Sequence, residues 1–274
     1  MSERRGSSEE YVERWNVHQR LQHFLLMLSV CVLVLTGFPI KYADAPWALL
    51  VVRLFGGFEN LFHTHLAGAV LLFVVAVYHV VYLLFAWRRH GWSWDMVPGL
   101  KDIRDALQHG LFLLGLAKER PKFGRYSYLE KFEYLAVFWG LVVMGGSGLV
   151  LWFPGVAVNW LPRWVIDALR VVHSNEAFVA ILALVFGHFF AVHFNPAVFP
   201  QNPVWFTGKI PLRLMAEEHP LELRRLQEQG VVKAEVQHRE SRWSYSIPLI
   251  VVELILYLTI MGALLYVFVP LLLA

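Results

Sequence analysis

The sequence predicts an all-α polytopic membrane protein, and three observations carry that expectation. Of its 274 residues, 57% are hydrophobic and 16% charged, with a mean hydropathy of +0.50, outside the usual range of soluble domains. Five apolar stretches are each long enough to cross a bilayer, at about Leu21–Ile40, His65–Trp87, Phe132–Phe153, Val171–Phe194 and Ile247–Leu273. The basic residues alternate along the chain. Of 24 Lys and Arg, four precede the first stretch, nine lie in Arg88–Lys131 and seven in Lys209–Arg242, against two in Lys41–Leu61 and two in Arg163–Arg170. The positive-inside rule therefore puts the N-terminus in the cytoplasm and the C-terminus outside. Topology accounts for the isoelectric point near 9.0, and no nucleic-acid partner is needed to explain it.

Taken in order, residues 1–19 read as a cytoplasmic tail, because MSERRGSSEEYVERW has no apolar core beside its basic start and so no cleavable signal. Residues 20–195 hold four spans and form a four-helix bundle. Within the basic loop, Ala106–Ala117 is apolar but too short to cross, which predicts an interfacial helix near 106–117 lying on the membrane. The third span carries Met144–Gly148, MGGSG, small residues that admit a neighbouring helix or a flat cofactor. Residues 196–246 mix charges of both signs and read as a cytoplasmic amphipathic segment. A fifth transmembrane helix, 247–274, completes the chain, with Glu253 its only ionisable residue.

Chemistry concentrates on histidine. The single cysteine, Cys31, sits mid-span, so disulfides within the chain, Cys-ligated iron–sulfur clusters and CxxCH haem attachment are all excluded. Of twelve histidines, His173 and His188 lie in the fourth span fifteen residues apart, roughly 22 Å in rise and within about 60° of one face. His65 and His79 lie in the second span fourteen apart, roughly 21 Å in rise and about 40° apart in phase. Both spans run inward from outside, so His65 and His173 share the outer depth, and His79 and His188 the inner. Buried ionisable groups in a bilayer are costly and mark function. Two imidazoles at each depth on facing helices suit the axial positions of a planar haem, whereas a structural zinc would want four clustered ligands. Gly68, one turn from His65, and Gly187, beside His188, make room for a porphyrin or else for close helix packing. His23, one turn inside the first span, competes with His79 for His188. His18, His63 and His193 point off these faces and read as interfacial or propionate-contacting; His90, His109, His219 and His238 read as solvated.

The stretches RLQHFLLMLSVCVLVLTGF, GRYSYLEKFEYLAVFWGLVVMGGSGLVLWFP, LRVVHSNEAFVAILALVFGHFF and FTGKIPLRLMAEEHP together span about Arg20 to Pro220. On these, the chain resembles the diheme cytochrome b (gamma) subunit of membrane formate dehydrogenases and the nickel–iron hydrogenase cytochromes b. The Arg-x-x-His opening and the paired histidines of the fourth span are the specific parts. The resemblance implies two non-covalent b haems, an inner one held by His23 and His188 and an outer one by His65 and His173. It also implies a quinone pocket beside the inner haem, onto which Ser127, Glu130 and Lys131 map, with Glu130 and Ser127 standing where amides are usual. His79 and the fifth helix depart from the family's pattern. EYLAVFWG, EEHPLE and the fifth helix look more like cytochromes b that serve multihaem cytochrome c or iron–sulfur partners.

The expected function is a membrane electron-transfer subunit of a respiratory oxidoreductase complex, in the bacterial inner membrane. It would pass electrons between a periplasmic partner, an iron–sulfur or multihaem cytochrome c subunit, and the quinone or quinol pool, acting as quinone reductase or quinol oxidase. Arg170 outside, and Arg20 and Lys131 inside, are candidates for haem propionates, or else topological anchors. Glu130, Lys131, Glu217, Glu218 and His219 offer titratable groups for protons on the inner side. Two rivals stand beside this reading: a secondary transporter or proton channel with histidine relays, and the core of a quinol-oxidising cytochrome b complex.

Overall fold

A computed structural model describes residues 10–195, 198–199, 201–232 and 255. Four helical stretches in it are long and apolar enough to cross a membrane: α1 (Val17–Lys41), α3 (Phe58–His90), α5 (Tyr128–Trp152), and Arg163–Phe194, of which α7 (Arg163–Ala183) is the α-helical part. The chain is thus an all-α polytopic membrane protein. Apart from Ile255, the expected fifth span, with Glu253, lies outside the described residues, as does His238.

Each span begins where local chemistry satisfies its first amides. Asn16 caps α1 by accepting from Gln19 N at 3.0 Å, while Gln19 accepts from Asn16 N at 3.0 Å. Ser127 and Glu130 make the same reciprocal box at the start of α5, at 3.3 and 2.7 Å. Short helices α2 (Pro46–Leu54) and α6 (Pro154–Ala157) fill the two turns at the far end, both opening on proline, which needs no donor there. The spans keep their apolar side chains outward, Phe73, Phe85, Phe138 and Trp139 among them, as hydrocarbon rather than water requires. They pair as two hairpins, α1 along α3 and α5 along α7, with far less packing between hairpins than within them. Gly68 belongs to that packing: a Cβ there would come within 2.9 Å of Val32 on α1. Gly187 instead faces open space. Helix packing therefore accounts for Gly68, whereas Gly187 has no packing neighbour among the described residues.

The fourth span changes winding partway. Beyond α7 the chain continues as a π-helical segment, Leu184–Phe194, which contains His188. In the loop between hairpins, α4 covers Leu100–Leu113, beginning six residues before the expected interfacial helix near 106–117. Leu100, Ile103, Leu107 and Leu111 form its exposed stripe, while Asp105 is buried and ion-paired with Lys101. That stripe is the face a membrane surface would cover.

At the end where the chain starts, the described parts of the expected cytoplasmic tail and cytoplasmic amphipathic segment fold together into a cap. Strand β1 (Tyr11–Glu13) pairs antiparallel with β2 (Lys209–Pro211), Val12 opposite Ile210. Helices α8 (Val204–Thr207), α9 (Leu212–Glu218) and α10 (Pro220–Glu228) close over a small core of Val198, Val204, Ile210, Leu214, Met215 and Leu223. Gly208 joins the two parts: its carbonyl accepts from Arg14 N and Trp15 N at 2.8 and 3.0 Å, and it holds φ +76°. A Cβ there would strike the Trp15 carbonyl. Gly208→Ala is therefore expected to cost at least about 1–2 kcal/mol of cap stability. Denaturant titration followed by tryptophan fluorescence checks it, since Trp15 and Trp205 report on this end; an unchanged midpoint would contradict the strain.

Candidate functional site

Two polar clusters sit inside the bundle, one toward the far end and one toward the cap. At the far end, His65 on α3 places Nδ1 2.9 Å from Thr36 Oγ1 on α1. Thr36 Oγ1 also donates to Val32 O at 2.6 Å, so its lone pair faces the ring and His65 Nδ1–H donates to it. On the other hairpin, His173 Nδ1 stands 3.0 Å from Ser147 Oγ, whose hydroxyl donates to Val143 O at 2.5 Å. The same logic puts the proton on Nδ1. In both cases Nε2 keeps its lone pair. A glycine follows each hydroxyl residue and lets the ring approach closely: a Cβ on Gly37 would lie 3.1 Å from His65 Cε1, and one on Gly148 3.1 Å from His173 Cε1.

Toward the cap, six side chains from all four spans form a ring of contacts. His188 Nδ1 stands 2.9 Å from Glu133 Oε2 on α5. A carboxylate only accepts, so Nδ1–H donates and Nε2 is again the free lone pair. The His188 ring centre lies 6.2 Å from that of His23 on α1, the planes 49° apart, with Trp15 and Trp205 flanking His23 at 5.3 and 6.2 Å. His79 on α3 is spent on both nitrogens, Nδ1 2.8 Å from Gln22 Oε1 and Nε2 2.8 Å from Tyr134 OH. Gln22 adjoins His23 and Glu133 adjoins Tyr134 in sequence, which closes the ring.

The two hairpins thus carry one arrangement twice. Gln22 and Thr36 are fourteen residues apart on α1, Glu133 and Ser147 fourteen apart on α5, and each holds a histidine of the following span through Nδ1. The histidines of α3 are also fourteen apart, but His173 and His188 are fifteen. The wider π turn around His188 takes up the extra residue and brings it to its partner. Gln22, Thr36, Glu133, Tyr134 and Ser147 were not singled out from the sequence. The repeated fourteen-residue interval was the signal for four of them.

The residues mapped to a quinone pocket have other partners in the structure. Ser127 and Glu130 are the cap of α5, and Glu130 Oε1 also accepts from Arg14 at 3.2 Å. Lys131 pairs with Asp102 at 3.0 Å, a contact that helps hold the Asp102 carboxyl below its usual value although burial works against it. Arg20 donates to Phe206 O at 2.9 Å and keeps its buried Nε without a hydrogen bond among the described residues. Arg170 is exposed, 4.0 Å from Asp167. Of the remaining histidines, His18 meets Tyr78 OH at 2.7 Å, His109 meets Tyr128 OH at 3.0 Å, His193 stacks on Phe189 at 4.3 Å, and His63 and His90 are exposed.

His219 corrects an expectation. Instead of being solvated it is buried in the cap, donating from Nδ1 to Gly124 O at 2.8 Å and taking Arg14 Nη2 on Nε2 at 3.0 Å. Burial, and then the adjacent Arg14 charge, lower its pKa, so the ring is neutral as the hydrogen bonds require. Burial also raises the Glu218 carboxyl, while Glu217 remains exposed.

These residues fit haem iron. Two imidazoles sharing one first-row metal, with bonds of about 2 Å, stand with ring centres on the order of 6 Å apart, as His23 and His188 do. His23 Nδ1 is buried with no hydrogen bond among the described residues, whereas His65, His173 and His188 each have Nδ1 anchored and Nε2 available. Among the described residues no three His, Cys, Asp or Glu converge as a bare-ion cage would need.

The chain matches a family model described as prokaryotic cytochrome b561 across residues 12–201. No curated protein matches it.

Proposed function

Because the chain belongs to the prokaryotic cytochrome b561 family, membrane b-type cytochromes of the hydrogenase and formate dehydrogenase kind that act in electron transfer, we propose that it is a diheme subunit. It would connect a redox partner at the far end of the bundle with quinone at the cap end. The far-end haem is assigned to His65 and His173, the cap-end haem to His23 and His188. The carrying observation is the repeated anchoring of imidazole Nδ1 at two levels, which orients Nε2 lone pairs for axial ligation. His23 is preferred to His79 because both nitrogens of His79 are occupied, by Gln22 and Tyr134.

A bound b haem supplies reversible one-electron transfer at its iron. The chain's part is to orient and insulate. Thr36 and Ser147 hold the far-end rings with neutral hydroxyls, while Glu133 holds His188 with an acceptor that is a carboxylate. A carboxylate partner makes the imidazole a stronger electron donor, so the cap-end haem is assigned the lower potential. By the charge count, the cap end faces the cytoplasm and the far end the periplasm, where an iron–sulfur or multihaem cytochrome c subunit would dock. The pool-side reaction, quinone reduction or quinol oxidation, belongs to the cap end.

Purified protein should show a b-type reduced-minus-oxidised spectrum, two haems per chain by pyridine haemochrome, and two potentials in a redox titration. One haem per chain would overturn the diheme assignment. No haem at all would leave the histidines as a proton relay.

A further inference from the structure

We propose that His79 and Tyr134 form the head-group site for the quinone or quinol, a reading that rests on the diheme assignment above. His79 lies within a membrane span, where an ionisable side chain is costly and marks function. The assigned haem ligands leave it unused.

Its surroundings repeat those of His188 with two substitutions of chemistry. Where His188 has Glu133 on Nδ1, His79 has Gln22; where His188 faces the His23 ring, His79 meets the Tyr134 hydroxyl. Both changes matter. A carboxylate can only accept, so it holds the proton on His188 Nδ1. An amide can present either oxygen or nitrogen, and Gln22 Nε2 is buried with no hydrogen bond among the described residues. With Gln22 Oε1 toward the ring, His79 Nε2 is an acceptor. With the amide turned over, His79 carries its proton on Nε2 and becomes a donor. The Tyr134 hydroxyl also does both.

A quinone offers two carbonyl acceptors and a quinol two hydroxyl donors, so a site that binds both members of the couple needs groups able to reverse their roles. The His79–Tyr134 pair is such a site. The position fits as well. Both residues are half-buried rather than sealed, on neighbouring spans α3 and α5, with Val80, Leu135 and Phe138 beside them exposed to the lipid. A head group can therefore enter from the bilayer, displacing the hydrogen bond between His79 and Tyr134. Tyr134 adjoins Glu133, whose carboxylate holds His188, so the bound ring lies beside the support of the cap-end ligand. Ser127 and Glu130, about two turns and one turn nearer the cap, are spent on the helix start and on Arg14.

The test uses full-length holoprotein in nanodiscs, with decylubiquinol and a short-chain menaquinol as reductants and haem reduction followed by stopped flow. Y134F and H79L are expected to retain both b haems, with unchanged haem content and spectra. The quinol concentration for half-maximal reduction should rise roughly tenfold for each lost hydrogen bond. Gln22→Glu is more discriminating. It should hold His79 Nε2 as an acceptor, keeping quinol reactivity while weakening inhibition by added decylubiquinone about tenfold. Unchanged half-saturation in Y134F and H79L would overturn the proposal, as would loss of a haem in H79L. If wild-type protein holds two haems that neither quinol reduces, this site fails while the diheme reading survives; if it holds none, the diheme reading fails first.

Discussion

Alanine at His65 or His173 is expected to remove one b haem and leave the other, and alanine at His188 or His23 to do the converse. H79A should keep both. The expectation rests on pairing across the bundle: His65 and His173 are each held through Nδ1 by a hydroxyl, His188 by Glu133, and His23 faces His188 at 6.2 Å. Loss of either axial imidazole leaves a b haem, which has no covalent attachment, with one protein bond to iron. Haem content per chain should fall from two to one by pyridine haemochrome. H188A should also abolish quinol-driven reduction, because the remaining haem is a span away from the cap end. The neighbouring supports should matter less but measurably, since losing an outer-shell partner typically weakens a metal site about 10–100-fold; Thr36→Val and Ser147→Ala are the cleanest such changes. The decisive comparison is H23A against H79A. If H79A loses a haem and H23A keeps two, histidine spacing rather than the structure names the ligand.

Glu222→Ala is expected to open the cap. This carboxylate is 2% exposed, with Arg225 at 2.8 Å and Arg125 at 3.4 Å. Arg125 in turn donates to the Arg14 carbonyl at 2.9 Å, and Arg14 reaches Arg125 O, Glu130 and His219. Truncating Glu222 leaves the half-buried Arg125 only partly compensated. Breaking such a pair costs about 3 kcal/mol here, the low end of its range because Arg225 is partly solvated. Limited proteolysis is the readout: cleavage near Gly208 and between Glu10 and Asn16 should accelerate strongly, while haem content stays at two. Equal protease resistance in the variant would show that the ion pairs do not hold the cap closed.

Much of the membrane architecture is legible locally. The spans follow from uninterrupted apolar length, and His65, His173 and His188 stand out because an ionisable group in such a stretch has no local excuse. A helix in the basic loop is legible too, from an apolar run too short to cross, although it starts earlier, at Leu100, because Lys101, Asp102 and Asp105 break the apolar run. The cap was not legible. Its strand pair joins Val12 to Ile210 across nearly the whole described chain, and neither three-residue strand carries a pattern of its own. His219 looked solvated for the same reason, since the groups that bury it, Arg14 and Gly124, are distant in sequence.

What the sequence determined by itself is the length of each apolar span and the spacing of the histidines along it, because hydropathy and helical rise depend only on neighbours along the chain. Only the tertiary structure decided what each histidine faces. Thr36, Ser147, Gln22 and Glu133 reach their imidazoles across 29, 26, 57 and 55 residues, from helices whose rotation no single span dictates. The fifteen-residue spacing of His173 and His188 shows the limit most clearly. On an ideal helix it turns the rings about 60° apart, and in the π segment at Leu184–Phe194 His188 nonetheless meets Glu133, a partner 55 residues away on another span.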